Sequence, residues 1–336
     1  MATLYAISGV TGMTGNELVR QLLVNKDRKD HILGFDNFYA SSIETVKDSL
    51  DNKQFEFFEY DINDIEQMKK FQYHVNELKY GYNEIVYINC AAVVHTEHFY
   101  HVYETYETNV VGMNRYLQQA IQIGAQKFIN CSTSEVYSMN SWNEHGGIRE
   151  DDYITMSDAE HSQRTSYAAG KLLTEFFIKD AVDDGKIKGC SIRFANVYSK
   201  NERYPKHIIP FIINSLRNDG KVVLLENSRK NRRTFLNNYD SCSAVLALIR
   251  TDSALDGSIY NVATDEEIAI IDLVKLCAEK MKVKNPVIEF KGFRKSDPER
   301  RLLSTEKIRM RTGWRPQINL DKGLDECINY YVGTFK

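Results

Sequence analysis

Short apolar runs alternate with amphipathic segments over the first 195 residues. The apolar runs predict strands at 4–8, 31–35, 55–59, 85–89, 127–131 and 189–194. Between them, apolar residues recur three and four positions apart, which predicts helices at 15–24, 65–78, 103–123 and 166–182. This alternation, with a right-handed crossover at each step, predicts an α/β fold whose doubly wound parallel sheet is covered on both faces.

The pattern changes after residue 197. Helical periodicity at 207–218, 239–250, 271–282 and 320–331 mixes with short predicted strands at 222–225 and 287–290. We therefore expect a dinucleotide-binding domain over 1–196 and, over 197–336, mainly a smaller mixed α/β C-terminal substrate-binding cap. No Pro/Gly-rich linker divides the chain, so the two are expected to interleave, with residues 235–265 returning to the first domain.

Composition narrows the class of protein. The net charge of −3 lacks the basic excess of a nucleic-acid or anionic-membrane surface. No apolar run reaches the roughly 18–20 residues of a membrane span, and the N-terminus resembles a strand more than a signal peptide. Six scattered cysteines lack zinc-ligand spacing, so we expect no metal site and reduced thiols in a cytoplasmic protein.

A glycine-rich turn joins the first predicted strand to the first predicted helix. Gly9, Gly12 and Gly15 recur at three-residue spacing, and Met13 lies between the last two. Glycines let the backbone turn tightly against a pyrophosphate, and the helix N-terminus offers free N–H groups to it. A glycine triplet alone also suits any turn between a strand and a helix, but in this position it favours the dinucleotide-binding (Rossmann) architecture.

Acidic residues follow the second and third predicted strands. Asp36 lies 21 residues after Gly15, where a carboxylate can accept hydrogen bonds from an adenosine ribose and would repel a 2′-phosphate. No Arg or Lys lies within 36–44, so NAD is predicted over NADP. Asp61 could reach the adenine edge, although such a residue is also a common helix cap.

The candidate chemistry lies on one helix and one strand end. Tyr167 and Lys171 are four residues apart and share a helix face, and the ammonium would stabilise a phenolate, making Tyr167 a candidate general base. Thr133, Ser134 and Glu135 follow the fifth predicted strand, and ligands bind at the carboxyl ends of such strands. The alternatives are a surface helix pair and a capped turn.

These motifs together resemble the extended short-chain dehydrogenase/reductase family, the NAD-dependent sugar-nucleotide epimerases and dehydratases. The matching stretches occur in the family's order across nearly the whole chain: 9–15, Asp36-Asn37, Asp61-Ile62, Asn89-Cys-Ala91-Ala92, Asn109-Val-Val-Gly112, 132–137, Tyr167-x-x-x-Lys171, 193–198, 233–240, 260–262 and 313–316.

The resemblance implies the roles of individual residues. Tyr167 would be the base, Lys171 would bind the nicotinamide ribose, and Thr133 would hydrogen-bond the sugar O4 while hydride leaves C4 for NAD, giving a 4-keto intermediate. The implied cofactor-binding residues also include Asn37, Ile62, Ala91, Ala92 and Asn109. Asn196, Lys206, Arg233 and Arg300 would hold the substrate's nucleotide diphosphate, since arginine pairs well with phosphate oxygens.

The order Thr133-Ser134-Glu135 resembles 4,6-dehydratases and UDP-glucuronate decarboxylases more than simple 4-epimerases, and Arg164 is similar to a residue of both former groups. The segment 206–210 is similar to a dehydratase segment, which favours dehydration. Ser138, Ser199 and Cys90 depart from the family's pattern, so epimerisation or arrest at the 4-keto stage stays open. So does a non-catalytic NAD-binding regulator, although such proteins lack the Tyr and Lys. The resemblance also implies a homodimer formed through a four-helix interface by helices 103–123 and 166–182.

Overall fold

The computed structural model describes residues 2–24, 29–140, 147–163, 165–200, 202, 204–295 and 297–334. Within them the strands are β1 (Thr3–Ser8), β2 (His31–Asp36), β3 (Phe55–Glu59), β4 (Glu84–Asn89), β5 (Lys127–Thr133), β6 (Lys188–Phe194), β7 (Asn196–Tyr198), β8 (Lys221–Leu224), β9 (Arg232–Asn237), β10 (Asp256–Val262), β11 (Glu267–Ala269), β12 (Val287–Phe290) and β13 (Arg300–Arg301). The helices are α1 (Met13–Leu23), α2 (Lys47–Leu50), α3 (Ile65–Leu78), α4 (Val102–Tyr106), α5 (Met113–Ile123), α6 (Thr165–Asp183), α7 (Ile208–Asp219), α8 (Asn238–Ile249), α9 (Ile270–Lys280), α10 (Glu306–Thr312) and α11 (Leu320–Thr334).

The described strands form one large parallel sheet in the order β3-β2-β1-β4-β5-β6-β10. Side chains alternate between its faces: Tyr5 and Ile7 of β1 pack in one core cluster, and Leu4 and Ala6 pack in the other. The first cluster lies beneath α1 and α8, and the second beneath α3, α5 and α6. The predicted doubly wound parallel fold is therefore confirmed.

The chain order reverses between β1 and β4, because β2 and β3 continue to one side and β5 and β6 to the other. In such a sheet the carboxyl ends of the strands diverge at this switch point and leave a crevice for ligands. The turn at Gly9 follows β1, and Cys90 follows β4, so both lie at this crevice.

Helix 103–123 was predicted as one regular helix, but the structure interrupts it. A π-helical turn over Glu107–Gly112 separates α4 from α5. The turn carries Asn109, whose buried carboxamide donates to the carbonyl of Val93 (3.1 Å) and accepts from its N–H (2.7 Å). Such turns often occur at functional sites, and here the turn fixes the loop that follows β4.

The C-terminal part of the chain forms a smaller lobe. β9 pairs with β7, β11 and β13, and β8 pairs with β12. A third core cluster, built around Leu216, Leu273 and Leu324 of α7, α9 and α11, stabilises this lobe. The lobe is not a simple C-terminal unit, because α8 packs on α1 and β10 forms the edge of the large sheet.

Candidate active site

The first wall of the crevice is the predicted glycine turn. Gly9 has a φ of +69°, and its N–H donates to the carbonyl of Phe35 (2.8 Å). A Cβ at Gly9 would lie 2.6 Å from the backbone N of Ala91, and one at Gly15 would lie 2.2 Å from the carbonyl O of Gly9. Gly12 caps α1, whose first N–H groups therefore point into the crevice. This cradle suits the backbone approach of a pyrophosphate.

Asp36, at the end of β2, closes the next part of the crevice. Its carboxylate accepts hydrogen bonds from the N–H of Thr11 (3.1 Å) and of Phe38 (2.8 Å). These two bonds fix the carboxylate at the crevice and leave further lone pairs for a ligand hydroxyl. Asn37 donates to the carboxylate of Asp61 (3.0 Å), so the predicted acids after β2 and β3 are joined.

The crevice forms a cleft of about 430 Å³. The predicted cofactor residues that line it are Gly9, Gly12, Met13, Gly15, Asp36, Asn37, Asp61, Ile62, Ala91, Ala92, Tyr167 and Lys171. Asn109 is different: it is fully buried and binds the Val93 backbone, so it shapes the cleft wall from behind. The cleft lining therefore does not include Asn109, and its predicted binding of the cofactor stays a prediction.

Tyr167 and Lys171 lie on α6 above the end of β5. The Tyr167 ring stacks on Phe99 with the centroids 4.1 Å apart, which fixes its plane. The Lys171 ammonium donates to the carbonyl of Cys131 (2.8 Å). Burial lowers the pKa of Lys171, while the nearby Cys131, Cys90 and Glu175 groups oppose that shift.

Thr133 ends β5 and caps the 3₁₀ turn over Ser134–Tyr137, accepting a hydrogen bond from the N–H of Glu135 (3.2 Å). The Glu135 carboxylate pairs with the guanidinium of Arg301 at 2.7 Å. Ser134 is buried and lies outside the described lining of both cavities at this site. Of the predicted triplet, Thr133 and Glu135 are thus the side chains presented to a ligand.

A second cavity of about 520 Å³ lies between the large sheet and the smaller lobe. Thr133, Glu135 and Tyr167 form its inner wall, while Asn196, Lys206 and Arg233 lie on the side of the smaller lobe. Lys206 is mostly exposed at the rim, where its ammonium pairs with Glu97. Asn196 donates to the carbonyl of Thr234 (3.2 Å), so its amide is already oriented by β9.

The pairing of β13 with β9 decides which arginine faces this cavity. Arg300 pairs with Arg232 and Arg301 with Arg233, and neighbouring residues of a strand point to opposite faces. Arg232 and Arg300 both bind Glu267 on one face. Arg233 and Arg301 line the cavity on the other face. This register places Arg301, and not the predicted Arg300, in the cavity lining, and the contact of Arg300 with substrate stays a prediction.

Arg233 and Arg301 bring two cations to one wall of the cavity. Arg233 pairs with Asp297 (2.9 Å), and burial followed by the charge of Arg301 lowers the pKa of Arg233. The Nε of Arg301 is buried and has no hydrogen-bond partner within the described residues. An anionic ligand group would relieve both conditions.

Sequence reasoning missed Arg301 and also an aromatic cluster at the junction of the two cavities. His95 stacks on Tyr204 with the centroids 3.9 Å apart, and the carboxylate of Glu202 accepts a 2.9 Å hydrogen bond from the ring of His207. The only feature of the sequence that pointed to Arg301 was its position next to Arg300. Arg164, singled out in the sequence, lies outside the described residues.

The described residues offer neither a metal centre nor a membrane-spanning helix. The described part of the chain contains no group of three or more His, Cys, Asp or Glu side chains arranged to hold a metal ion. Its helices, over the same residues, are all too short or too polar to span a membrane.

Comparison with known proteins places this geometry in a family. The family model described as GDP-mannose 4,6 dehydratase matches residues 6–327. The chain is 26% identical to the low-salt glycan biosynthesis protein Agl12 of Haloferax volcanii, over 97% of this chain and 98% of that one. It is 25% identical to mouse dTDP-D-glucose 4,6-dehydratase, over 94% and 82% of the two chains.

A solved structure shares the fold. DesIV, a dTDP-glucose 4,6-dehydratase from Streptomyces venezuelae determined with NAD bound, superposes with a TM-score of 0.83 at 22% identity, covering 99% of this chain and 98% of that one. At this identity the likeness concerns the fold. With the family model matching almost the whole length, the chain belongs to the GDP-mannose 4,6 dehydratase family, within the extended short-chain dehydrogenases/reductases.

Proposed function

We propose that the chain is an NAD-dependent enzyme that oxidises a nucleotide-diphosphate sugar at C4 to a 4-keto intermediate and then carries out 4,6-dehydration. One observation carries the proposal. Thr133 and Tyr167 line both cavities, Lys171 lines the first cleft, and Glu135 lines only the second. A hydroxyl donor and a phenol thus separate a dinucleotide cleft from a substrate cavity, as oxidation of a sugar hydroxyl requires.

The first cleft fits NAD. A Cβ at Gly9 or Gly15 would collide with neighbouring backbone, so only glycine permits the tight turn that would hold a pyrophosphate, and the oriented carboxylate of Asp36 favours a ribose diol over a 2′-phosphate. When bound, NAD would supply the hydride acceptor for C4. The structure of DesIV, which shares this fold, was determined with NAD bound. On this proposal residues 1–196 with 235–265 hold the dinucleotide and most of 197–336 caps the substrate.

Three side chains of the enzyme take part in the oxidation at C4. The Thr133 hydroxyl donates a hydrogen bond to the sugar O4, and Tyr167 removes the O4 proton. The Lys171 ammonium, held by the Cys131 carbonyl, stabilises the resulting phenolate and binds the nicotinamide ribose. The stack on Phe99 keeps the Tyr167 ring in place for this transfer.

The second step, dehydration, takes place in the substrate cavity. A ketone at C4 makes the C5 hydrogen acidic, and the carboxylate of Glu135 accepts that proton. The same carboxyl group returns it to the oxygen at C6, the C–O bond breaks, and water leaves. With NAD bound, the hydride taken from C4 would return to C6 while C5 regains a proton, so the net change is the loss of one water. Arg301 holds Glu135 for this role at 2.7 Å. Arg233, Arg301, Lys206 and Asn196 face the diphosphate.

Arg301 also supports a second candidate, decarboxylation of a nucleotide-linked uronic acid. Its unpartnered Nε could bind a C6 carboxylate, and a 4-keto uronic acid, being a β-keto acid, loses carbon dioxide readily. Epimerisation and simple C4 oxidation need neither Arg301 nor Glu135 at this wall.

The test is mass spectrometry of UDP-, GDP-, CDP- and dTDP-sugars incubated with the protein and NAD. Loss of water supports dehydration, and loss of carbon dioxide the second candidate. Tyr167→Phe should abolish turnover, whereas Tyr153→Phe, at a fully exposed tyrosine, should not. A fully active Tyr167→Phe variant would overturn the mechanism, and loss of hydrogen alone would reduce Glu135 to a structural role.

The assembly proposed for the enzyme is a homodimer through α4–α5 and α6. The exposed side chains Tyr103, Tyr106, Leu173 and Phe176 on these helices support it, because large apolar groups clustered at a surface favour association. Sedimentation of a Tyr103→Lys, Phe176→Lys double variant tests it. Monomeric wild-type protein, or a variant that remains dimeric, would contradict this interface.

A further inference from the structure

Two cysteines meet at the bottom of the cofactor cleft. Cys90 follows β4, Cys131 lies in β5, and the preceding residues Asn89 and Asn130 are paired in register. The two Sγ atoms are 3.8 Å apart. Neighbouring strands are separated by about 4.8 Å, which lies within the Cα separation that a disulfide spans, so side-chain rotation with a small shift of the strand end would bring the sulfurs to about 2.05 Å.

The surroundings make the two thiols unequal. The hydrogen bond between the two thiols and the Lys171 ammonium lower the pKa of Cys131, and the same bond together with burial raises that of Cys90. The other four cysteines are buried, and burial raises the pKa of each. Thiolates are the reactive form, and the Lys171 ammonium, which donates to the Cys131 carbonyl at 2.8 Å, lies beside this thiol. Cys131 is therefore the nucleophile of the pair and Cys90 its resolving partner.

Access to the pair runs through the cleft. Cys90 and Cys131 are partly exposed, and both line the cleft together with Ala91 and Lys171. A dinucleotide held by the Gly9 turn and by Lys171 would cover both sulfurs. Oxidation and cofactor binding would therefore exclude each other.

We propose that Cys90 and Cys131 are an oxidative modification site, a dithiol that hydrogen peroxide converts to a disulfide when the cleft is empty. The Cys131 thiolate attacks one peroxide oxygen, an S–O bond forms, the O–O bond breaks, and hydroxide leaves. Cys90 then loses its proton and attacks that sulfur, an S–S bond forms, and the S–O oxygen leaves as water. Two thiols and one peroxide give one disulfide and two waters.

The disulfide would act on the proposed enzyme through Lys171. Drawing the sulfurs together shifts the end of β5, whose Cys131 carbonyl holds the Lys171 ammonium. The sulfur bridge would also lie on the cleft floor. Activity is therefore lost on oxidation and returns with dithiothreitol, as expected of a thiol switch in a reducing compartment.

Peptide mass spectrometry tests for the disulfide between Cys90 and Cys131. Cofactor-stripped protein is treated with peroxide, digested without reductant and analysed for a peptide pair joined through Cys90 and Cys131. The linked pair, two hydrogens lighter than its reduced parts and removed by dithiothreitol, is expected. Cys90→Ser should accumulate a dimedone-reactive sulfenic acid at Cys131, and Cys131→Ser should give no linkage. Cys277→Ser, at a buried cysteine of the smaller lobe, is the matched control and should link like the wild type.

The second arm adds the cofactor, since the gating rests on the proposed function. At about 100 times its Kd, NAD leaves about 1% of the clefts empty, so linkage should slow about 100-fold. No linked peptide in folded protein overturns the modification site and leaves the proposed activity standing. Oxidation of Cys90 in Cys131→Ser that equals the oxidation of Cys131 in Cys90→Ser overturns the assignment of Cys131 as the nucleophile. Linkage at an unchanged rate despite measured NAD binding overturns the gating and the placement of NAD in this cleft.

Discussion

Removing the charge of Glu175 should lower the free energy of unfolding of this protein more than any surface substitution. Glu175 on α6 accepts hydrogen bonds from Arg193 through Nε (3.0 Å) and Nη2 (2.6 Å) and from the hydroxyl of Ser132 (2.5 Å). Both charged side chains are only 2% exposed. Breaking a buried pair by removing one partner costs about 3–5 kcal/mol, because the remaining charge stays buried without compensation. We expect a loss of that size in Glu175→Leu.

The double variant Glu175→Leu, Arg193→Met separates this explanation from mere loss of packing. Replacing both partners by apolar groups removes the stranded charge, so most of the loss should be recovered, leaving about 1–2 kcal/mol for the bonds lost by Ser132 and Tyr137. Asp183→Asn provides a matched control on the same helix, since its pair with Lys179 is more than half exposed and contributes below about 1 kcal/mol.

Urea unfolding followed by far-ultraviolet circular dichroism measures these changes, with refolding checked for reversibility. The coupling free energy from the single and double variants is the decisive quantity. A single Glu175→Leu variant that loses less than about 1 kcal/mol would refute the reasoning. So would a double variant that is as unstable as Glu175→Leu alone.

Three further changes have definite expected results. Gly15→Ala places a Cβ 2.2 Å from the carbonyl of Gly9 and should weaken NAD binding at least about tenfold by calorimetry, whereas Gly81→Ala, with open space around it, should not. Gly323→Ala meets the Tyr198 side chain and should cost about 1–3 kcal/mol in urea unfolding, while Gly333→Ala on the same helix should be neutral or stabilising. Lys127 and Lys188 lower the pKa of Asp252 to about 2 from 3.8, so its contribution to stability is present above pH 3.8 and lost as the pH falls toward 2. Asp252→Asn should reduce this loss of folding stability at acid pH by less than about 1 kcal/mol, because Asp252 is mostly exposed. An unchanged loss of stability at acid pH would contradict the assignment.

The first half of the fold could be predicted from periodicity because its elements are local. Most strands of the large sheet up to β6 are buried and largely apolar, although the edge strand β3 is fully buried only at Phe55, and each crossover helix has its own apolar face. The runs predicted at 4–8 and 31–35 agree with β1 and β2 to within one residue at each end. No long-range information is needed for such elements.

The helices predicted in the smaller lobe at 207–218, 271–282 and 320–331 agree with α7, α9 and α11. The sheet around β9, in contrast, could not be predicted in the same way. β9 begins with Arg232 and Arg233, and a basic start resembles a solvated loop more than a strand. Its strand character comes from partners distant in sequence, among them β7, β11 and β13. The choice between Arg300 and Arg301 depends on the same pairing, so adjacent arginines in the sequence were indistinguishable until the register with Arg232 and Arg233 was known.

The arrangement of the site explains why the motifs specify the family more sharply than the reaction. Lys171 faces only the cofactor side, and Thr133 and Tyr167 stand between the cavities, so oxidation at C4 would use residues that the motifs already contain. Glu135 and Arg301 face only the substrate side, where the second step would take place. Exchanging Glu135 for Gln should therefore leave the first step, seen as a transient NADH absorbance, while water loss falls about 100-fold or more. If the transient NADH absorbance disappears as well, both steps require Glu135, and the two cavities do not separate oxidation from dehydration.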